Sequence, residues 1–206
     1  MRVKNDERRQ RIIEVACPIF LEKGYERTSM SEIAGQLGGS KGTLYSYFPS
    51  KKDLFAAVIA HSAALYMEAV LPDSIDLSDM VGTLKGLSEH TLLTMCSQEC
   101  VTLNRNVFSE AGMSDIGQLF YQHAPLRILS RLAQIMERWM AEGKLRLADG
   151  FVAAQQLFAL LEAEVRLPLL LGVMEPGSAI DVPALSARAI DAFLRIYGLP
   201  VNTCQA

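Results

Sequence analysis

Between Met30 and Phe48 the chain carries two short apolar-periodic segments joined by almost nothing. Met30, Ile33, Ala34 and Leu37 fall at i, i+3, i+4 and i+7, and Gly38-Gly39-Ser40 then breaks the run. A second segment follows at once and stops at Phe48, before Pro49-Ser50. Two such helices with a tight glycine turn form a helix-turn-helix pattern. The plainer alternative is an ordinary helical corner.

The flanking sequence supplies the neighbours. Ile12, Ala16, Ile19 and Phe20 mark a helix ahead of the pair, with Gly24 as its stop. Pro18 interrupts that helix, removes a donor to the Glu14 carbonyl and predicts a kink. Ser29 with Glu32 makes a capping box, and Ser40 caps the third helix. Asp53 stands in the first turn of a fourth helix carrying Leu54, Val58 and Leu65 and ending before Pro72. The polar stretch 72–78 is the best linker. Beyond it the periodicity predicts helices near 79–95, 99–112, 116–142, 150–171 and 182–198, with Gly143 ending one, Asp149 capping the next and a Gly- and Pro-containing loop at 172–183. No convincing strand alternation occurs. The expectation is an all-α chain of about nine helices, with domains at 1–55 and 56–206.

Charge follows the same division. Residues 1–55 hold ten Lys/Arg against seven Asp/Glu, a net +3, whereas 56–206 hold ten against sixteen, a net −6. A basic first quarter on an acidic body suggests an anionic partner for the N-terminal part, or a solvated face with a small charge excess. Half of the residues are hydrophobic and the net charge is −3, which excludes a disordered chain. No uncharged run reaches the roughly 18 residues of a membrane span, and the polar N-terminus does not read as a signal peptide. The expected location is cytoplasmic, with no membrane partner.

The third helix carries the chemistry. At about 100° per residue Leu44 and Phe48 point together and define its inner face. Gly42, Thr43 and Ser46 form the outer face, flanked by Tyr45 and Tyr47, with Lys41 in the first turn. No acidic residue intervenes. Gly42 permits close backbone approach to a phosphate, amide groups at a helix start favour anionic oxygens, lysine and tyrosine bond phosphates, and Thr43 and Ser46 are short enough for base edges. Thr28 and Ser29 before the second helix and Lys51 at the start of the fourth could clamp the flanking backbone. For the tyrosines, half-buried packing is the alternative.

The runs Phe20-Leu-Glu-Lys-Gly-Tyr-Glu-Arg-Thr-Ser-Met-Ser-Glu-Ile-Ala and Ser40-Lys-Gly-Thr-Leu-Tyr-Ser-Tyr-Phe-Pro-Ser-Lys-Lys-Asp-Leu resemble the TetR family of bacterial transcriptional regulators over roughly 11–58. Leu103-Asn-Arg105 with Glu110, Gly143-Lys-Leu-Arg and Phe193-Leu-Arg-Ile-Tyr-Gly resemble its AcrR/AefR-like branch, although Gly112-Met-Ser-Asp replaces the Phe-Pro common there. The resemblance implies a homodimer whose N-terminal three-helix domain binds a palindromic operator in double-stranded DNA. A linking helix would join it to a C-terminal ligand-binding and dimerisation domain, and a small, largely apolar effector would release a repressor. By position, Thr28, Lys41, Gly42, Thr43, Tyr45, Ser46, Tyr47 and Lys51 match DNA-contacting places. Two departures stand out: Cys17-Pro18 where a straight helix is usual, and Gly39 where a β-branched residue is commoner.

For the body, Met67, Met95, Phe108, Phe120, Tyr121 and Phe158 are the candidate apolar lining of an effector pocket. Arg105, Glu110, His123 and Glu162 are the polar candidates. Plain core is the alternative for each. The 150–171 segment is apolar on more than one side, so it suits burial against both its own subunit and a mate. The candidate dimer residues are Leu157, Leu160, Leu161, Glu164, Leu167, Ala189, Phe193 and Ile196. No cofactor or metal is expected. The enzyme class lacks H-E-x-x-H, a phosphate-binding glycine loop, and a glutamate three residues before His61, His90 or His123. The other alternative is a redox-sensing regulator using Cys96 and Cys100, which at i, i+4 could share a helix face. Cys17 and Cys204 read as unpaired.

Overall fold

The computed structural model describes residues 2–70, 76–112 and 115–200; within these, the side chains of 2–5, 67, 69 and 70 lie outside the description. The chain divides into two compact units, one of residues 1–66 with 99–126, the other of 67–98 with 127–206. No helix among the described residues is long and apolar enough to cross a membrane.

In the first unit α1 (Arg2–Arg27), α2 (Met30–Gln36), α3 (Lys41–Tyr47) and α4 (Lys51–Val70, to residue 66) are joined by α6 (Gln98–Glu110, from residue 99) and α7 (Ile116–His123). Their apolar stripes meet in one core. Ile12, Ala16 and Phe20 come from α1, Ile33 from α2, Leu44 and Phe48 from α3 and its end, Leu54 and Val58 from α4, with Val107 and Ile116 from the later helices. Both short helices carry the predicted serine cap, but the capping box is half-formed, because the Glu32 carboxylate takes Lys23 instead of returning to the Ser29 N–H. Ser29 accepts the Glu32 N–H at 3.2 Å, and Ser40 accepts the Thr43 N–H at 3.1 Å. Each cap supplies about 1 kcal/mol, a large share for a seven-residue helix.

α1 keeps helical dihedrals through Pro18; the departure lies at Gly24 (φ 79°, ψ 172°). The predicted kink therefore belongs six residues later. Pro18 and Glu14 are both exposed, so water can meet the carbonyl that lost its donor, while the buried Ile12, Ala16, Ile19 and Phe20 hold the helix on the other side. Gly24 occupies a backbone region essentially closed to residues with a Cβ.

The second unit contains α5 (Met80–Met95), α8 (Pro125–Ala141, from residue 127), α9 (Gly150–Glu162), α10 (Arg166–Leu171) and α11 (Val182–Tyr197). α11 packs on α5 and α9. Trp139 is fully buried and its Nε1–H donates to the Leu77 carbonyl at 3.0 Å, which Lys144 Nζ also reaches at 3.0 Å. α8 and α9 approach closely at Gly150, where a Cβ would stand 2.9 Å from the Ala133 carbonyl oxygen.

Eleven helices occur among the described residues because two predicted helices are each divided. Pro125 pushes Ala124 out of the helical region (φ −124°, ψ −81°) and starts α8. Pro168 offers no N–H to the Glu164 carbonyl, and the chain turns at 163–165 before α10. Part of the predicted linker, 72–75, lies outside the described residues, as does Cys204.

Candidate nucleic-acid interface

Leu44 and Phe48 are buried at 1% and 2% exposure, and they anchor α3 to the first unit's core. With those two pointing inward, Lys41, Gly42, Thr43, Tyr45 and Ser46 are exposed and Tyr47 is half-buried. The face is held by its own short hydrogen bonds. Ser40 Oγ and Thr43 Oγ1 lie 3.0 Å apart, and the Ser46 hydroxyl donates to the Thr43 carbonyl at 2.6 Å. α3 therefore presents a cation, three hydroxyl-bearing side chains and a bare glycine backbone, with no carboxylate among them. That chemistry suits phosphate oxygens and base edges and does not suit an apolar partner.

Three other predicted contacts are placed differently from one another. Ser29 is exposed at the α2 cap. Thr28 is 2% exposed and its hydroxyl donates to the Gly24 carbonyl at 2.7 Å, so its side chain is an internal brace and not a clamp on external backbone. Lys51 is half-buried; its ammonium donates to the Tyr25 and Glu26 carbonyls at 2.9 and 3.2 Å and sits 4.2 Å from the Tyr25 ring centre. It caps the end of α1, where cationic charge meets the negative end of the helix.

These two residues belong to a collar around Gly24. Asn106 donates to the Leu21 carbonyl at 3.2 Å, and Glu110 Oε1 accepts the Glu26 N–H at 3.1 Å. The backbone groups that the Gly24 break releases are thus taken up by side chains from α4 and α6, which sets the direction in which α2 and α3 leave. Asn106 was not legible as a positioning residue, since its partner lies 85 positions away.

The effector candidates do not gather in one unit. Arg105, Phe108, Phe120 and Tyr121 belong to the first; Met95, Phe158 and Glu162 belong to the second; the Met67 side chain lies outside the description. Phe108 and Tyr121 are 48% and 45% exposed, Glu162 is ion-paired with Arg166, and Glu110 is engaged at the α1 end. Of the dimer candidates, Leu157, Leu161, Ala189 and Phe193 are buried by their own chain and fill its core. Leu160 is half-buried, while Glu164, Leu167 and Ile196 reach the surface, with Glu164 bonded to Arg188 at 2.7 and 2.9 Å.

Cys96 and Cys100 do not share a helix face. Cys96 closes α5 and Cys100 lies within α6 in the other unit. Cys17, Cys96 and Cys100 form no disulfide. Burial raises the thiol pKa of Cys96 and of Cys17, the latter partly offset by Ser62, which suppresses the reactive thiolate a redox sensor needs. Among the described residues no group of three or more His, Cys, Asp or Glu side chains is placed to hold a metal ion.

Comparison with known proteins gives two family matches, and the second of them runs through segments of both compact units. Residues 12–58 match the family of bacterial regulatory proteins, tetR family, and 82–199 match the AefR-like transcriptional repressor, C-terminal domain. The transcriptional activator FasR of Mycolicibacterium smegmatis is 41% identical over 58 residues, a segment covering 28% of this chain and 26% of that relative. A TetR-family regulator from Mesorhizobium loti superposes with a TM-score of 0.83 at 26% identity, over 95% of this chain and 98% of that one. The flavonoid-responsive regulator FrrA superposes with a TM-score of 0.77 at 29% identity, over 95% of this chain and all of that one. An all-α fold with an N-terminal helix-turn-helix, and family matches over both its N-terminal and C-terminal segments, make this chain a transcriptional regulator that belongs to the TetR family, in its AefR-like branch.

Proposed function

We propose that the chain is a repressor that binds a palindromic operator as a homodimer through α3 and is released by a small, largely apolar effector. The observation that carries the DNA-binding part is the acid-free exposed face of α3, fixed from beneath by Leu44 and Phe48. Lys41, Gly42, Thr43, Tyr45, Ser46 and Tyr47 meet the duplex, with Ser29 beside them; Thr28 and Lys51 act by holding the α1 end. A two-fold pair of reading helices about 34–36 Å apart, or somewhat wider, spans successive major grooves. The repressor assignment draws support from the description of the matched C-terminal family.

Residues 1–55 act as the reading domain, and 56–206 as the effector and dimer domain. Leu167 and Ile196, at 64% and 40% exposure, are two apolar side chains available for a mate near the C-terminal helices. Effector binding shifts the population toward a dimer whose reading helices no longer fit the operator. The name of FrrA makes flavonoids the first compounds to try.

The test is selection of genomic fragments by the purified chain, in parallel with a Lys41→Ala, Tyr47→Ala variant at one stated salt concentration. Enrichment of a few palindromic sites by the native chain alone supports the reading. Equal, weak, salt-sensitive recovery by both sinks it, because only the sequence-independent electrostatic attraction is then present. A monomer at micromolar concentration in sedimentation removes the dimer. Release of the recovered fragment by a flavonoid, with an unrelated charged metabolite inert, supports the apolar effector.

A further inference from the structure

Arg8 and Arg9 of α1 straddle α3. The Arg9 guanidinium carbon lies 4.9 Å from the ring centre of Phe48, the residue that ends α3. Arg8 reaches the other end. Its Nη2 stands 3.4 Å from where a Cβ would be on Gly39. Arg8, Ser40 and Thr43 line one shallow cleft there. Both arginines are exposed, and Arg8 makes no hydrogen bond or ion pair among the described residues.

Gly39 leaves room for this placement. A β-branched side chain at 39 would project into the space beside the guanidinium, and its branches would reach beyond the Cβ position into contact with Nη2. Glycine leaves the turn without a side chain at the point that Nη2 approaches. The guanidinium thus stands beside Ser40 and Thr43, at the edge of the exposed α3 face, with no hydrogen-bond partner among the described residues.

We propose that Arg8, seated on Gly39, is a further DNA-binding residue that bonds a phosphate beside the bases read by α3. The inference rests on the DNA-binding reading above. Guanidinium groups bond phosphate oxygens in a fork that lysine lacks. One phosphate contact contributes about 0.9 to the dependence of log affinity on log salt.

The experiment measures affinity for a duplex carrying the fragment recovered by the native chain, between about 50 and 200 mM salt. Arg8→Gln is compared with Arg11→Gln, a charge-matched control on the same helix whose native partner is Glu14 at 3.8 Å. Arg8→Gln should lose about eightfold affinity near 0.1 M salt and flatten the salt dependence by about one phosphate contact, with an unchanged melting temperature. Arg11→Gln should retain near-native affinity and slope. Gly39→Val should reproduce the Arg8→Gln loss, and the double variant should lose no more than either alone. Native-like affinity and slope in Arg8→Gln overturn the proposal, as do equal losses in Arg8→Gln and Arg11→Gln, which mark general electrostatics. Additive losses from Arg8→Gln and Gly39→Val remove the seating role of Gly39. Failure of the native chain to prefer any duplex instead overturns the DNA-binding reading itself.

Discussion

α3 and α8 use their residues in opposite ways. α8 buries seven of its seventeen residues, among them Trp139, whereas α3 buries only Leu44 of seven. α8 is held by the core it helps to make. α3 is held by what surrounds it: the Ser40 cap before it, the Phe48 anchor after it, and the Gly24 collar that aims it. A helix that gives nearly all its side chains to solvent, in a chain where half the residues are hydrophobic, is maintained for contact with something outside the chain.

The contrast can be broken hardest at its anchors. Trp139→Ala and Phe48→Ala each remove a fully buried aromatic and should cost about 3–5 kcal/mol, read by urea denaturation. If the anchors act as argued, Phe48→Ala also abolishes operator binding under conditions where the chain stays folded. Retained DNA affinity in folded Phe48→Ala would show that α3 needs no anchor.

Gly24→Ala comes next. A methyl group at φ 79°, ψ 172° should cost roughly 1–3 kcal/mol, and its Cβ would meet Asn106 at 3.4 Å. A melting temperature equal to the native one would contradict the collar. Ser40→Ala should cost about 1 kcal/mol and weaken DNA binding through fraying of α3. The exposed face itself is expected to matter least for stability. Lys41→Ala should change unfolding free energy by no more than about 0.5 kcal/mol while lowering DNA affinity, and a larger stability loss would make Lys41 part of the scaffold.

The smallest effect concerns the thiols. Raised pKa values leave Cys17 and Cys96 protonated at neutral pH, and their thiolate fraction grows only as pH rises past the ordinary thiol value. Alkylation of both should be slow at pH 7 and accelerate above the pH at which a free cysteine accelerates. Fast modification at neutral pH would contradict their burial.

Much of the first unit was readable because its signals are local. The Ser29 and Ser40 caps, the Gly38-Gly39 turn and the inward Leu44–Phe48 pair depend on neighbours within a few positions, and all appear as the spacing predicts. Prolines were harder. Pro18 is equally visible in the sequence as Pro125 and Pro168, yet only the latter two divide their helices. Exposure does not separate the three, since Glu14, Tyr121 and Glu164, each four residues before its proline, are all exposed; what decides lies in packing that is not local in the sequence. The same limit applies to Leu157, Leu161, Ala189 and Phe193: periodicity marks an apolar face without saying which surface covers it.

The sequence by itself determined the helical class, the short capped pair with its acid-free outer face, and the family. Those features rest on periodicity, capping and turn chemistry acting over one or two helical turns. Tertiary structure decided that Thr28 and Lys51 face the α1 end, that Asn106 and Glu110 close the Gly24 break from 80 or more positions away, that Cys96 and Cys100 part company, and that Arg8 lies on Gly39. Each of those outcomes depends on which helices meet in space, and side-chain type at a given spacing does not encode that meeting.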